Sequence, residues 1–333
     1  MNYEQFKEYI KERLPGVYVD IMTEEMINHK GDIDKKELDK IKNCEVHLRK
    51  VDKNNGVTLD AISIYMQGEN VSPNIYIKPY YYQYMVGKPL DTIMANMIFN
   101  YRNQKLESKN IQHINLDDFH GIKDKIIIRL INTELNKELL KKCPHIDYLD
   151  LSITFRIIFA DDSNGMATSL IMDEEFKKWD IDLQELYKIA LDNTSRLYPY
   201  RIIPLFDIVL KNMDKLNLSD EIKEEVVQMN SELPEVNIFV LTNMDNINGA
   251  GAILYANVLS DFAKEHDSNI FILPSSVHEQ MLVVESDDTN PAFLKSLLND
   301  ANHSSVGLID LLGDNIYYYD RNTDEVSIYK DVA

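Results

Sequence analysis

A chain of 333 residues that is 44% hydrophobic and 27% charged, with 11 Gly and 10 Pro, has ordinary globular composition and enough apolar material for about two domains. Its 55 acidic against 35 basic residues give a formal charge of −20, which argues against a generic nucleic-acid binder and against an anionic membrane surface, since both need a basic footprint. Lys and Glu are interleaved, as in FKEYIKERL and EFKKWD, so the charge reads as a solvated acidic surface.

The N-terminal residues are charged from Glu4 onward, unlike a signal peptide, and Phe6, Tyr9, Ile10 and Leu14 fit one helical stripe instead. Residues 44–51 and 56–66 read as strands joined by Asp52-Lys53-Asn54-Asn55-Gly56, a strong hairpin-turn signal. A short strand, 74–77, follows Pro73 and leads into a tyrosine cluster of Tyr76, Tyr80, Tyr81, Tyr82 and Tyr84. A helix is expected over 90–101, started by Pro89, with Ile93, Met97 and Ile98 on one face. The polar stretch 103–110 marks a domain boundary, giving an α/β-hairpin domain at 1–108 and a larger domain at 109–333.

Beyond the boundary, 125–131 reads as a buried strand and 133–142 as a helix stopped before Pro144. In residues 149–159, Leu149, Leu151, Ile153, Phe155, Ile157 and Phe159 alternate with Asp150, Ser152, Thr154 and Arg156, the period of a strand with one packed face. A turn at Asp161-Asp162-Ser163-Asn164-Gly165 leads to a strand at 166–172. Asp182 is placed to cap a helix, with Glu185 three residues on and Ile181 and Leu186 set for a hydrophobic staple. Helices are expected at 205–212 and 219–229, and a closing hairpin pairs 315–320 with 325–329.

Residues 237–285 are the most informative stretch. The runs 238–241 and 270–273 are continuously apolar, as in strands buried on both faces, and a helix at 251–265 separates them. A strand, helix and strand of this size predict a parallel crossover, which places the loops 243–251 and 274–279 at one sheet edge. Asn243, Asn246, Asn248, Gly249 and Gly251 then lie near Ser275, Ser276, His278 and Glu279. Asn248-Gly249-Ala250-Gly251 opens a helix and could hold an anion on free N–H groups, although a glycine-rich turn with a helix cap is the commoner use of such a pattern. Ser275 or Ser276 with His278 supplies a hydroxyl and a base, but the nucleophile-elbow pattern is absent. The simpler reading, and the one favoured, is a Pro-Ser turn that starts the next strand, with His278 as its first residue. His278-Glu279 opens an HExxH-like pattern that Leu282 breaks, so no zinc-protease site is expected.

Cys143, His145 and Asp147 alternate without an evident fourth ligand, and no metal or cofactor is expected. Cys44 and Cys143 form no disulfide framework and suit a reducing compartment. His113 and His120 flank Asp117-Asp118 and read as solvated. The longest nearly apolar run, 249–259, is well short of the roughly 20 residues a membrane span needs, so a cytoplasmic protein is expected.

The segments KNNGVTLDAISI, SPNIYIKPYYYQY, KIIIRLINTELNKELL, PHIDYLDLSITF, LYKIALDNTSRLYP, FVLTNMDNINGAGAILY, ILPSSVHE and YYYDR occur in this order. In them the chain resembles an uncharacterised family, a domain of unknown function of anaerobic Gram-positive bacteria. ILPSSVHE is the most specific element. Residues 149–284 also resemble a second uncharacterised family of related bacteria. The resemblance implies a bacterial cytoplasmic protein whose halves belong together, and it implies no activity and no catalytic residues.

The expected class is α+β: a mixed-sheet domain with one βαβ unit and a smaller N-terminal α/β-hairpin domain. Three functions are open. One is a non-enzymatic binding or interaction module whose partner is a protein or a small molecule. The second is a hydrolase or transferase that holds a small anionic substrate at Gly249–Gly251 and uses His278 with Ser275 or Ser276. The third is an acidic inhibitor that mimics DNA.

Overall fold

The computed structural model describes residues 1–28, 35–67, 72–108, 114–162, 165–216, 218–232 and 238–330. Expectations for His113, for Ser163-Asn164 and for Asn237 lie outside the described residues. The chain divides into two units, Met1–Lys53 with Val57–Gln112 and Asp162–Gly165, and His113–Asp161 with Met166–Ala333 and the turn Asn54–Gly56.

In the first unit, α1 (Tyr3–Asn28) and α2 (Lys35–Lys42) precede a three-stranded antiparallel sheet in the order β1-β2-β3. Its strands are β1 (Glu45–Asp52), β2 (Thr58–Tyr65) and β3 (Asn74–Tyr76), and α3 (Lys78–Met85) and α4 (Leu90–Ser108) follow. Phe6, Ile10, Leu14, Tyr18 and Met22 recur every fourth residue along α1 and are all buried. They share a core with Ile62, Ile64 and Ile75 of the sheet and with Ile93, Met97 and Tyr101 of α4. The Tyr101 hydroxyl donates to the Ile64 carbonyl at 3.1 Å, so burying this large ring leaves no orphaned polar group. The expected helix at 90–101 runs on to Ser108 because the added residues, RNQKLES, are mostly good helix formers.

The second unit contains α5 (Phe119–Ile122), β4 (Ile126–Asn132), α6 (Lys137–Leu140), β5 (His145–Tyr148), β6 (Leu151–Asp162), β7 (Gly165–Leu170), α7 (Asp173–Phe176) and α8 (Leu183–Leu197). After these come β8 (Tyr200–Pro204), α9 (Leu205–Lys215), α10 (Asp220–Glu232), β9 (Ile238–Asn243), α11 (Val258–Glu265), β10 (Ile270–Leu273), β11 (Gln280–Val284), α12 (Pro291–Ser304), β12 (Tyr317–Asp320) and β13 (Glu325–Ile328). One sheet has β6 between β4 and β5, with β7 also on β6, and the other runs β13-β12-β10-β11-β9-β8. The period-two pattern of β6 does what it predicts. Leu151, Ile153, Phe155 and Ile157 enter the main core with Ile126, Ile128 and Leu130 of β4 and Leu186 and Ala190 of α8. In β10, Ile270 and Ile272 face that core, while Phe271 and Leu273 face a second one with Leu294 and Leu298 of α12. Burial on both faces is why the run is continuously apolar.

The chain is α+β, but in place of the expected mixed sheet the pairs among the described strands of the large sheet are all antiparallel, and the crossover is built differently from the simplest expectation. Both β9 and β10 pair antiparallel with β11, so they run parallel to each other with β11 between them. The helix expected at 251–265 is two pieces, a buried 3-10 turn at Gly249–Leu254 and then α11. Asn257, with φ of 64°, interrupts them, a left-handed conformation that asparagine tolerates. Asp182 caps α8 by accepting the Glu185 N–H at 2.8 Å. The expected helix at 133–142 shrinks to a 3-10 turn plus α6, and His145–Tyr148 forms the additional strand β5.

Burial pushes the Cys143 thiol up to about 11, with Asp173 adding to it, and pushes the Tyr318 and Tyr319 phenols up to about 12, with their Glu285 and Asp324 partners adding to it. A raised acid holds its proton longer in the folded chain, so these contributions are complete below the ordinary thiol and phenol values of 9.0 and 10.0 and are lost as pH rises above them. The denaturant midpoint is therefore expected to be level up to about pH 8.5 and to fall between about pH 9 and 12. Parallel denaturant titrations across that range check this.

Candidate functional site

The loops that follow β9 and β10 do meet at one edge of the large sheet. The Asn243 side chain is consumed by its own loop: Nδ2 donates to the Ile247 carbonyl at 2.8 Å, and Oδ1 accepts from the N–H groups of Asp245 and Ile247. Asn246 and Asn248 take left-handed φ values of 56° and 55°. Gly249 is then pressed against the chain. A Cβ there would lie 2.4 Å from Thr242 Oγ1 and 2.6 Å from both the Asn243 nitrogen and the His278 carbonyl oxygen. The Ala250 N–H donates to the Val277 carbonyl, and the fully buried Gln280 donates Nε2 to the Ala250 carbonyl at 2.8 Å. The space beside Gly249 is thus taken by the protein's own chain, and the Ala250 N–H is already paired. Gly251 is buried too, and a Cβ there would lie at ordinary contact distance from Ile128 Cδ1.

Ser275 and Ser276 are buried and zipped to a later segment. The Leu312 N–H donates to the Ser275 carbonyl, the Gly313 N–H to the Pro274 carbonyl, and the Val277 N–H to the Asp310 carbonyl. Ser276 Oγ accepts the main-chain N–H of His278 at 3.1 Å, so its bond is to the histidine backbone and not to the ring. The ring is occupied at both ends. Nδ1 accepts from the Asn248 N–H at 3.2 Å, and Nε2 lies 3.3 Å from Asp310 Oδ1. That fixes the neutral tautomer with its proton on Nε2 and leaves no lone pair aimed at a serine hydroxyl, which a general base needs. His278 is a cross-link between residues 248 and 310. Glu279 is exposed. Asp310 escaped the sequence reading because GLIDLLGD has no periodic pattern to place it.

The other constellations resolve locally. His145 Nδ1 lies 3.0 Å from the Cys143 carbonyl oxygen, and the raised Cys143 thiol opposes the thiolate that a metal would need. Among the described residues no group of three or more His, Cys, Asp or Glu is placed to hold a metal ion. Asp118 caps α5 by accepting the Gly121 N–H, and Asp117 pairs with Lys178 at 2.7 Å.

Four of the five tyrosines divide into two pairs, and Tyr82 is exposed. Tyr81 and Tyr84 pack edge-on and tilted against Phe6, and Tyr81 also meets Tyr3, which ties α3 to α1. Tyr76 and Tyr80 face the other way, into a groove of about 400 Å³ between β3, α3 and α4. Five carboxamides line it, Asn74, Gln83, Asn96, Asn100 and Gln104, along with Phe99, Pro79 and Ile75. Asn100 Nδ2 donates to the Tyr80 hydroxyl at 2.6 Å. Phe99 is 62% exposed. None of the lining residues is ionised, although 27% of the chain is charged. The sequence does carry a sign of this. Asn96, Asn100 and Gln104 recur every fourth residue on α4, so they form one stripe beside the buried Ile93 and Met97.

A family model matches residues 3–321. The chain belongs to DUF5688, a family of unknown function. No curated protein and no solved structure matches it. No helix among the described residues of this DUF5688 chain is long and apolar enough to cross a membrane.

One further feature of this DUF5688 member is a pair of arginines. Arg129 on β4 is opposite Thr154, and Arg156 on β6 is opposite Ile127, so the two are diagonal neighbours on one face of the sheet. Arg156 is held by Thr168, which accepts from Nε at 2.8 Å and from a terminal nitrogen at 3.2 Å. Arg129 Nε is shut off from solvent without a hydrogen-bond partner. Burial, then the neighbouring Arg129, lowers Arg156 to about 10, and burial lowers Arg129 against the opposing pull of Asp310.

Proposed function

We propose that this DUF5688 chain is a non-enzymatic binding module and that its recognition surface is the groove between β3, α3 and α4. The observation that carries this reading is the lining: carboxamides and aromatic rings with no ionised group. Aromatic rings supply contact area at low entropic cost, and carboxamides both donate and accept. Such a lining suits a neutral polar partner. The loops at 243–251 and 274–279 are spent on internal hydrogen bonds, which supports a structural role for Ser275, Ser276 and His278. Placing a photo-crosslinking residue at Phe99, which lines the groove, tests the reading in cells of the source. A specific adduct is expected at Phe99 and none at the comparably exposed Phe293 on α12. No adduct at Phe99, or equal adducts at both positions, would count against it.

The arginine pair favours a second reading, a small anionic ligand on the β4–β6 face. Two like charges set close together, one with an unpaired Nε, are costly unless an anion neutralises them. If they are purely structural, Arg129→Met should raise stability by about 1 kcal/mol, because it removes a desolvated charge whose Nε makes no hydrogen bond. Thermal melts with and without phosphate decide the matter. A phosphate-dependent rise in Tm that Arg129→Met abolishes would support the anion reading, and an equal response in both proteins would remove it.

A further inference from the structure

We propose that the groove takes an extended segment of a partner polypeptide, added to the free edge of β3 as a fourth strand. This rests on the reading of the groove as the binding surface and names its occupant.

The first ground is the edge itself. Among the described residues, β3 pairs with β2 only. The Ile77 N–H donates to the Asp60 carbonyl, and the Ile64 N–H donates to Ser72 Oγ, which fixes the phase of the ladder: residues 60, 62 and 64 of β2 turn their main chain toward β3. Ile75, opposite Ile62, faces back into the sheet. Main-chain groups alternate sides along a strand, so the N–H and C=O of Asn74 and Tyr76 point outward. Two donors and two acceptors are therefore presented at strand spacing, the chemistry that another main chain satisfies.

The second ground is the carboxamide stripe of α4. Asn96, Asn100 and Gln104 are four residues apart, which is about 6 Å of helix rise per step. A strand repeats its outward N–H and C=O pair every second residue, about 6.7 Å. One carboxamide, with one donor and one acceptor face, thus meets each outward pair of a strand lying between β3 and α4. Among the described residues, the side chains of Asn96 and Gln104 make no hydrogen bond to the protein, whereas Asn100 is turned onto the Tyr80 hydroxyl. The third ground is charge. The uncharged lining selects a segment without ionised side chains at its inward positions, because an ion there would lose its water without gaining a counter-ion.

The probe is a phage-displayed library of random peptides selected on the full-length chain. Enriched peptides are then made with single N-methyl groups walked along the sequence. N-methylation at the alternate positions whose N–H faces β3 is expected to weaken binding about tenfold, the loss of one main-chain hydrogen bond, and at the positions in between to weaken it less, because a carboxamide that loses the N–H keeps the neighbouring C=O and can turn to water. Tyr76→Pro removes an outward N–H but no bond to β2 and should weaken binding to a similar degree with the fold kept. Should that variant fail to fold, Asn96→Ala with Gln104→Ala, at a half-buried and an exposed position, gives the same readout. Peptides lost in the double variant but indifferent to the phase of N-methylation would overturn the added strand and keep the groove as the binding surface. Neutral oligosaccharides that bind in place of peptides and are lost in the double variant would do the same. No enrichment, or peptides that bind wild type and double variant equally, would overturn the strand and also the groove reading on which it rests.

Discussion

Gly249→Ala is expected to be among the most damaging single substitutions in the chain. The added methyl carbon would sit 2.4 Å from Thr242 Oγ1 and 2.6 Å from the Asn243 nitrogen and the His278 carbonyl oxygen. Two of those three atoms are main chain, the Asn243 nitrogen in β9 and the His278 carbonyl oxygen, and the latter already accepts from Thr242 Oγ1 at 2.8 Å. They cannot move aside as a side-chain tip can. Overpacking a core costs about 1–3 kcal/mol, and a clash with main chain belongs at the upper end, which lowers Tm by roughly 6–12 °C in a unit of this size. Gly251→Ala is the control two residues on. Its nearest neighbour, Ile128 Cδ1, would be 3.6 Å away, so a change within about 1 kcal/mol is expected. Calorimetry on both variants checks the contrast. Equal melting temperatures would mean that the Asn248–Gly251 turn is not packed as described.

Asn55→Ala is expected to cost about 4 kcal/mol. Asn55 is counted within the second unit, is buried, and has a φ of 59°. Its Nδ2 donates to the carbonyls of Leu308 and Leu311, both at 2.7 Å, and its Oδ1 accepts from Asn136 Nδ2 at 2.7 Å. Truncation removes three hydrogen bonds at about 1 kcal/mol each, and the left-handed backbone adds about 1 kcal/mol for any residue with a Cβ and no compensating side-chain bond. Asn55→Gly removes the second term only and should be the milder by about that amount. Urea titrations of the three proteins separate the two contributions. A loss below about 1 kcal/mol in both variants would contradict the assignment of these bonds.

The comparison of Gly249 with Asn55 shows which parts of the molecule could be read from sequence. Local rules work where the cause is local. The alternation in β6, the cap at Asp182 and the four-residue stripe of α1 all came through because periodicity and capping depend on near neighbours. The meeting of the two C-terminal loops was legible as well, since two apolar strands joined by a crossover must end at one edge. What the sequence did not disclose is what each loop residue bonds to. His278 is held by Asn248 and Asp310, 30 and 32 residues away, and no spacing rule reaches that far. The insertion of β11 between β9 and β10 is equally non-local. α12 is a different case. Its Asn290 cap and Pro291 start are ordinary helix-opening signals that were present but unused. The groove had only the carboxamide spacing on α4 to announce it, and that spacing gains meaning only once the free edge of β3 is seen beside it.

The most direct measurement is native mass spectrometry of the full-length chain captured from lysate of its source. Wild type would be compared with Asn96→Ala/Gln104→Ala and with Ser275→Ala/Ser276→Ala/His278→Ala, each verified as folded by its melting transition. Bound material that is lost from the groove variant and retained by the loop variant is the predicted result. Material retained by the groove variant and lost from the still-folded loop variant would contradict the account and return the function to the edge formed by His278, Asn248 and Asp310.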